Sequence, residues 1–549
     1  MGKKTIGTLL SLLALSLVVL LAATGPDHPL AEAIESITAA DLKSDLYFLA
    51  SDEMQGREIN TPFNRLASRY LAHRFELMGL KPVENDSYFQ YFSLVQAQLA
   101  QPNRLQIQHG QSATIAILKE DFFPSTLSGN GKVSALLVFA GYGITALEYD
   151  YDDYQGLNVR GTIVVMMNHE PGEKDPNSSF DGLVHSEYSR EFYKIANAQD
   201  HGAVAVIFIP DEANHPKSRK FSRGARRIWP EDVSRGRYSL KLWADQVKIP
   251  ALHVSRQIAG ALLESSETTV EKIQKKIDQG YQPHSFPLPT VEATVETAVI
   301  RSETRVRNVL AYLPGSDPRL KDEVVIVSAH FDHVGSRKGE VFNGADDNAS
   351  GTVGLLEVAE AYALSSEKPK RSMLFVGWNA EERGLLGSRY YVERPTFPLE
   401  KTTAVFQMDM IGRNEEVPDP QNSRFRGLEK QTAEENTNSV NVLGYSRSQD
   451  LRNLVVQNNQ RIGLDVRFRY DNNAINLLRR SDNWPFLINR VPALFFHTGL
   501  HPDYHQPTDT PDKINYSKME KIVRLVFLSS WNAANASTPP RLNKKWNRR

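Results

Sequence analysis

The sequence predicts an α/β fold: a mixed, mostly parallel sheet flanked by helices, with an inserted β-rich segment. Short β-branched apolar runs alternate with longer runs of helical periodicity. Residues 323–330, 372–378 and 402–410 are apolar over most of their length. This is expected for strands of a parallel sheet covered by helices on both faces. A polar Gly/Ser/Pro stretch at 124–131 separates a helical N-terminal region from a new series of strands.

The length predicts more than one domain, because 549 residues exceed the size at which a single core keeps growing. We expect a main domain in two pieces with an insert between them. The predicted parts are an N-terminal signal or anchor at 1–24, the first piece of the main domain at 25–126, the insert at 127–288, the rest of the main domain at 289–535, and a basic tail at 536–549.

The composition is that of a globular protein, with 41% hydrophobic and 23% charged residues. The formal net charge of -1 gives no excess positive charge, so we expect no nucleic-acid partner. The chain has no cysteine. Disulfides, thiolate catalysis and sulfur-bound zinc are therefore excluded, and any metal must be held by His, Asp and Glu.

The N-terminal residues are typical of a secretory signal. Lys3 and Lys4 precede an apolar run at 5–23. The pattern predicts export to the periplasm or the exterior of the cell. The run is also about as long as the ~20 residues that span a bilayer, so an uncleaved membrane anchor is the alternative.

Acidic residues and histidines gather where predicted strands end or helices begin. Ligands bind beyond the carboxyl ends of the strands in such sheets, so we expect these side chains to converge. The short motifs that carry them are AHFDHVG at 329–335, NGADDNASG at 343–351, NAEERGLLGS at 379–388, QMDMIGR at 407–413 and HPDYHQPTDTPDKI at 501–514.

This set of ligand types suits a pair of borderline-hard divalent ions such as zinc, since one ion does not need so many ligands. Paired metals activate a shared water and polarise a carbonyl, which favours amide hydrolysis. Glu381 and Glu382 are adjacent at a strand end. One of them can serve as general base and the other as metal ligand.

Taken in order, these motifs resemble the co-catalytic di-zinc aminopeptidase family that also contains the glutamate carboxypeptidases. The resemblance covers most of 37–120 and 290–530, and includes LASDEMQGREINTP at 49–62. It implies a zinc exopeptidase fold. The insert at 127–288 resembles a protease-associated (PA) domain, through GYGI, VRGTIVVM and AVAVIFI.

The resemblance implies a ligand set for two zinc ions. His330 and Asp409 hold one ion, Glu382 and His505 hold the other, and Asp346 bridges both.

It also implies roles around the metals. Glu381 is the general base, and Asp332 orients His330. His333, His497 and His501 match no ligand position, and we treat them as structural or rim residues.

Two residues are candidates for substrate contact. In RSDNWPF at 480–486, Asn483 stands where relatives often have histidine. Tyr504, next to His505, can donate to an oxyanion or simply line the rim.

The sequence thus predicts an exported exopeptidase with peptide substrates, most simply an aminopeptidase. A carboxypeptidase or dipeptidase on the same metal cage is the alternative, because the cage does not decide which end is cut. A non-catalytic interaction protein built on the PA-like insert is the alternative of another class.

Overall fold

The computed structural model describes residues 30–547 except 85, 212–213, 216–219, 233–235 and 267. The predicted signal or anchor at 1–24, and the last two residues of the predicted basic tail, lie outside the described residues. Within the described ranges, none of the helices has the combination of length and apolar character that a membrane span requires.

The strands, in chain order, are β1 (Phe89–Leu99), β2 (Arg104–His109), β3 (Ser112–Ile115), β4 (Phe122–Pro124), β5 (Gly131–Ala140), β6 (Thr145–Ala146), β7 (Tyr151–Asp152), β8 (Ile163–Met167), β9 (Ala205–Ile209), β10 (Tyr238–Leu240), β11 (Ala251–Val254), β12 (Ser285–Thr297), β13 (Val299–Leu313), β14 (Val324–His330), β15 (Ser336–Arg337), β16 (Glu340–Val341), β17 (Ser372–Trp378), β18 (Thr402–Met408), β19 (Ser439–Leu443), β20 (Asp465–Arg467) and β21 (Ala493–His497).

The α-helices begin where side chains satisfy free backbone amides. Thr38, Thr61 and Ser448 each accept a hydrogen bond from the amide three residues ahead. The helices span Ala31–Glu35, Ala39–Leu49, Pro62–Leu77, Glu191–Asp200, Phe221–Ile228, Lys241–Gln246, Arg256–Leu263, Val270–Asp278, Gly351–Leu364, Leu386–Glu393, Gln449–Ile462, Trp484–Ile488, Tyr516–Asn535 and Lys544–Asn547.

The first sheet has nine strands in the order β10-β1-β13-β17-β14-β18-β21-β19-β20. Its four central strands, β17, β14, β18 and β21, run parallel. Strands β13, β1 and β10 on one side, and β19 on the other, pair antiparallel. The predicted mixed α/β architecture is confirmed, and the parallel strand ends meet at one edge.

Helices pack against the first sheet and bury its apolar residues. The helix Gly351–Leu364 is buried along nearly its whole length and packs against β14 and the helices Ala39–Leu49 and Tyr516–Asn535. All residues of β14, β17, β18 and β21 are buried. This explains why these strands are apolar in sequence, and it leaves their polar carboxyl ends as the place where ligands can approach.

The second sheet has eight strands in the order β3-β2-β12-β5-β8-β9-β11-β4. Strands β5, β8, β9 and β11 run parallel. This sheet takes its strands from 104–297, a wider range than the insert predicted at 127–288. In addition, β10 comes from within that range and joins the edge of the first sheet beside β1. The domain boundaries and the PA-like nature of the insert stay a prediction.

Candidate active site

The predicted site residues converge at the carboxyl edge of the parallel strands. His330 is the last residue of β14, and Asp409 directly follows β18. Glu381 and Glu382 follow β17 by three and four residues. His505 lies in the loop after β21 and adopts a positive φ of 54°. The edge of the sheet thus gathers residues that are far apart in sequence.

One group of possible metal ligands consists of His330, Asp347 and Asp409, all buried. His330 Nε2 lies 3.4 Å from Asp409 Oδ1 and 3.5 Å from Asp347 Oδ1. Burial alone would lower the pKa of His330, but the carboxylates of Asp409 and Glu381 raise it well above its ordinary value.

A second group consists of His333, Asp347, Glu382 and His505. His505 Nε2 lies 2.9 Å from Asp347 Oδ2 and 3.1 Å from Glu382 Oε2. His333 Nδ1 lies 2.8 Å from Glu382 Oε1. Burial would lower the pKa of His505, but Glu382 and Asp347 raise it to about 10.

Asp347 belongs to both groups, and each group faces a different oxygen of its carboxylate. Oδ1 points toward His330 and Oδ2 toward His505. A carboxylate placed in this way can bridge two cations.

The prediction that Asp346 is the bridge is therefore wrong. Its Oδ1 accepts hydrogen bonds from the amides of Gly412 and Arg413, at 2.6 and 3.1 Å, and its Oδ2 lies 3.2 Å from His501 Nε2. The backbone is non-helical at Asp347, with φ -108° and ψ 92°. This kink turns the side chains of Asp346 and Asp347 in different directions. It depends on the tertiary structure and cannot be recognised in the local sequence.

The assignment of His333 to a structural or rim role also needs correction, because its ring lies inside the second group. It is 1% exposed, and its Nε2 has no hydrogen-bond partner among the described residues. His497 and His501 keep structural positions. His497 Nδ1 bonds the Asp409 carbonyl at 3.0 Å, and His501 pairs with Asp346.

The two adjacent glutamates have opposite electrostatic environments. Burial raises the pKa of Glu381 well above its ordinary value. Burial acts in the same direction on Glu382, but His505 and His333 hold the pKa of that carboxyl well below its usual range. Such a division separates a carboxyl of raised proton affinity, which suits a group that accepts and returns a proton, from one that stays ionised, as a metal ligand must.

Asp332 supports this pair through the backbone. Its Oδ1 accepts from the Glu381 amide at 3.1 Å and its Oδ2 from the Glu382 amide at 3.4 Å. Its carboxylate lies 3.8 Å from His330 Nδ1, whereas its main-chain oxygen lies 3.1 Å from the same nitrogen. Asp332 therefore orients His330 mainly through its backbone, and its carboxylate positions the two glutamates.

Two supporting residues were missed from the sequence. Arg57 is 1% exposed and donates to the carbonyls of Phe331, Asn343 and Gly344, which belong to the two loops carrying His330 and Asp347. Burial lowers its pKa to about 10, with carboxylates such as Asp347 opposing that shift.

The second missed residue is Asp509, whose carboxylate accepts from the amides of Asp346 and Asp347, at 3.0 and 3.1 Å. It thus fixes the backbone at the kink. The segments 49–62 and 501–514 were recognised in the sequence, but nothing local indicated that Arg57 and Asp509 point into the site.

The two residues predicted to contact substrate, Tyr504 and Asn483, lie in different environments. Tyr504 lines a small cavity, stacks on His505 with ring centroids 4.0 Å apart, and shares the cavity wall with Asp347, Glu381 and Asp409. Asn483 is fully buried and donates to the Leu478 carbonyl at 3.0 Å. It does not line the cavity, so its predicted contact with substrate has no support.

The residues fit a metal centre. His330 Nε2 and His333 Nδ1 are buried and face carboxylate oxygens, at 3.4 Å from Asp409 Oδ1 and 2.8 Å from Glu382 Oε1. Buried polar atoms cost free energy unless they are bonded, and a divalent cation between these groups would satisfy both sides. Histidine and carboxylate donors without sulfur suit zinc.

Residues 308–529 match the model of Peptidase family M28. Leupeptin-inactivating enzyme 1 of Streptomyces exfoliatus is 37% identical over 106 residues, which cover 19% of this chain and 22% of that protein. A glutamate carboxypeptidase 2 homolog of Caenorhabditis elegans is 27% identical over 325 residues, covering 52% of this chain and 39% of the relative. Aminopeptidase YwaD of Bacillus subtilis (strain 168) is 25% identical over 261 residues, or 46% and 50% of the two chains. The matches thus span between about a fifth and a half of these relatives.

Among solved structures, an aminopeptidase from Aneurinibacillus sp. strain AM-1 is 20% identical with a TM-score of 0.47, covering 93% of this chain and 96% of that one. A zinc aminopeptidase from Bacillus subtilis is 18% identical with a TM-score of 0.42, covering 92% and 96%. The family match confirms the resemblance that the strand-end motifs carry.

The two neighbouring aspartates provide a matched test of the bridging position. We expect Asp347→Asn to weaken metal binding by at least tenfold, because it removes a charge shared by both ligand groups. Asp346→Asn should keep its metal and lower the free energy of unfolding by about 1–3 kcal/mol, since it disturbs buried hydrogen bonds. Metal analysis after dialysis and urea unfolding measure the two effects. Equal metal loss in both variants would contradict the bridging assignment.

Proposed function

We propose that this chain, which carries a Peptidase family M28 domain, is a metal-dependent aminopeptidase that removes N-terminal residues from peptides. The proposal rests mainly on one observation: two groups of possible metal ligands share Asp347, and Glu381 lies beside them in a cavity. The names of the curated relatives, which include aminopeptidases, support the choice of reaction.

Two zinc ions fit the arrangement best. His330 and Asp409 would hold one ion, Glu382 and His505 the other, and Asp347 both, with His333 as an additional nitrogen beside the second. Bound zinc supplies a water with a pKa near 7 and polarises the carbonyl to be attacked. The absence of cysteine leaves histidine and carboxylates as the donors.

Glu381 belongs to neither ligand group and lines the cavity, with Oε2 3.9 Å from His330 Nε2. We assign it the general-base role. It takes a proton from the attacking water and returns it to the leaving amine. Asp332 holds the Glu381 amide, so the carboxyl is presented from a fixed backbone.

We assign Tyr504 the role of oxyanion donor, because it lines the cavity beside Glu381. Burial raises the pKa of its phenol well above the ordinary value, so the hydroxyl keeps its proton at neutral pH. A protonated hydroxyl on the cavity wall can donate to the oxygen on which negative charge develops.

A carboxypeptidase is the second candidate, and one observation favours it. Arg480 lines the catalytic cavity and also a neighbouring groove that contains Arg190, Arg426 and Arg479. Converging guanidinium groups are suited to bind a carboxylate, such as a peptide C-terminus or an acidic side chain.

Export and domain division are further parts of the proposal. Lys3, Lys4 and the apolar run at 5–23 support a signal or anchor, and the apolar core on one face of the second sheet supports an inserted PA-like domain. The N-terminal sequence of protein recovered from the native host is expected to lack the predicted segment 1–24. An intact N-terminus in a membrane fraction would indicate the anchor, and an intact N-terminus in the cytoplasm would contradict export.

Replacing the base tests the mechanism. We expect Glu381→Gln to keep its metal and to lose turnover by a factor of about 10²–10⁴, because water loses its proton acceptor. Metal analysis and hydrolysis of an aminoacyl anilide measure the two properties. Glu400→Gln, at an exposed glutamate, is the matched control and should behave as the unmodified protein. Retention of more than a tenth of the activity by Glu381→Gln would refute the base assignment.

A peptide panel decides which end is cut. The unmodified protein should cleave C-terminally amidated peptides and leave N-acetylated ones intact, with products identified by mass spectrometry. Cleavage confined to peptides with a free C-terminus would favour the carboxypeptidase. In that case Arg480→Ala should raise KM more than it lowers kcat, since Arg480 would bind the terminal carboxylate.

A further inference from the structure

A second cluster of metal-ligand side chains lies outside the active site, at the edge of the second sheet. It contains His169, Glu173, Asp211 and His215, and one donor atom from each lies within 4.8 Å of the others. Nothing in the proposed peptidase mechanism uses these residues. The cluster mixes two imidazoles with two carboxylates, a donor set found in zinc sites.

The fold explains why these residues meet. Strands β8 and β9 are adjacent and parallel, and they end at Met167 and Ile209. His169 and Glu173 follow β8, while Asp211 and His215 follow β9. Both pairs therefore leave the sheet at the same edge, as the ligands of the first sheet do.

Two of the donor-atom spacings match those of a tetrahedral zinc site. His169 Nδ1 lies 3.2 Å from Asp211 Oδ2 and 3.5 Å from Glu173 Oε2. Bonds of about 2.0–2.1 Å at tetrahedral angles place zinc ligands roughly 3.3 Å apart. His215 Nε2 lies 2.6 Å from Glu173 Oε1, so it would have to move away from that oxygen to bind the same ion.

Glu173 is the carboxylate in the cluster that most needs a cation. It is 3% exposed, and its ion-pair partners among the described residues are imidazoles, with His215 Nε2 at 2.6 Å and His169 Nδ1 at 3.5 Å. Within the described part of the chain, no lysine or arginine lies within 4 Å of the Glu173 or Asp211 carboxylate. The nearby Lys194 donates to the Met167 carbonyl at 3.0 Å. Burying a carboxylate costs free energy, and a cation bound between the carboxylates and the imidazoles would offset that cost.

Neighbouring hydrogen bonds orient the Asp211 carboxylate, as is usual for ligands in metal sites. Gln274 Nε2 and the Asn214 amide donate to Asp211 Oδ1, at 2.5 and 3.2 Å. Oδ2 lies 3.2 Å from His169 Nδ1 and also accepts from Asn214 Nδ2 at 3.4 Å. Such outer contacts fix the orientation of metal-binding carboxylates.

We propose that His169, Glu173, Asp211 and His215 form a zinc site in the second sheet, separate from the catalytic metals. The bound ion would join the loop after β8 to the loop after β9. His185, with Nε2 3.9 Å from Glu173 Oε2, lies just outside the four ligands.

The site would also stabilise one wall of the catalytic cavity. The loop that begins with His169 runs on to contact the peptidase part of the chain, where the Leu183 amide donates to Asn472 and the His185 amide to Asn476. Asn476 directly precedes Leu477, which lines the catalytic cavity. A change in KM with little change in kcat is therefore the expected effect of losing this zinc.

The experiment counts metal in the full-length protein. We expect the double variant His169→Ala/His215→Ala to contain one equivalent of zinc less than the unmodified protein after dialysis, with kcat within about threefold. The control His284→Ala removes a half-buried histidine of the same sheet region that lies outside the cluster, and it should keep all its zinc. Equal zinc content in the folded double variant and the unmodified protein would overturn the proposal.

A second measurement isolates the site from the catalytic metals and does not depend on activity. In the Asp347→Ala background, added Co²⁺ should give the visible absorption of tetrahedral cobalt, and Zn²⁺ should raise Tm. Both responses should disappear on adding Glu173→Gln, which keeps the volume of the side chain and removes its charge. No cobalt absorption and no zinc-dependent Tm shift in the Asp347→Ala protein would also overturn the proposal.

Discussion

The structure depends on how negative charge is held at the carboxyl edge of the central parallel strands. Asp347, Glu381, Glu382 and Asp409 have side chains that are at most 11% exposed and lie within a few ångströms of His330 or His505. Carboxylates so close together repel strongly away from water, and the folded chain can keep them only if cations or protons compensate. Histidines provide part of that compensation and the split between Glu381 and Glu382 provides another part. The remaining negative charge favours the binding of cations at this edge.

Buried polar side chains also hold the backbone in place around these carboxylates. The buried guanidinium of Arg57 donates to carbonyls of the loops that carry His330 and Asp347. It therefore holds these loops in place and also adds a positive charge near the carboxylates. Asp332 and Asp509 accept from main-chain amides beside Glu381 and Asp347. The segments that carry His330, Asp347 and the two glutamates are therefore held by residues outside the two groups of possible ligands. Side chains held in this way reach a metal without the entropy cost of ordering a free loop.

The sequence predicted what is local and missed what depends on folding at a distance. Strand ends, the adjacent glutamates and the isolated Asp409 could be recognised because each occupies a short motif next to an apolar run. The choice between Asp346 and Asp347 could not, since it depends on a backbone kink fixed by Asp509, over 160 residues away. Arg57 was equally hidden, because one arginine in a polar segment resembles any surface residue until the fold buries it. Asn483 shows the reverse error, a residue singled out by comparison with relatives that the fold places in the interior.

The second sheet follows the same physical rule as the first. In both sheets, parallel strands bring sequence-distant acids and histidines to one edge, and in both the imidazole nitrogens lie close to carboxylate oxygens. The loop after β8 then links the two edges, since it starts at His169 and reaches Asn476 beside the catalytic cavity. Order imposed at the second edge is thereby transmitted to the wall against which a substrate would lie. The insert would then contribute to the peptidase by shaping its cavity, while the chemistry of bond cleavage stays with the residues of the first sheet.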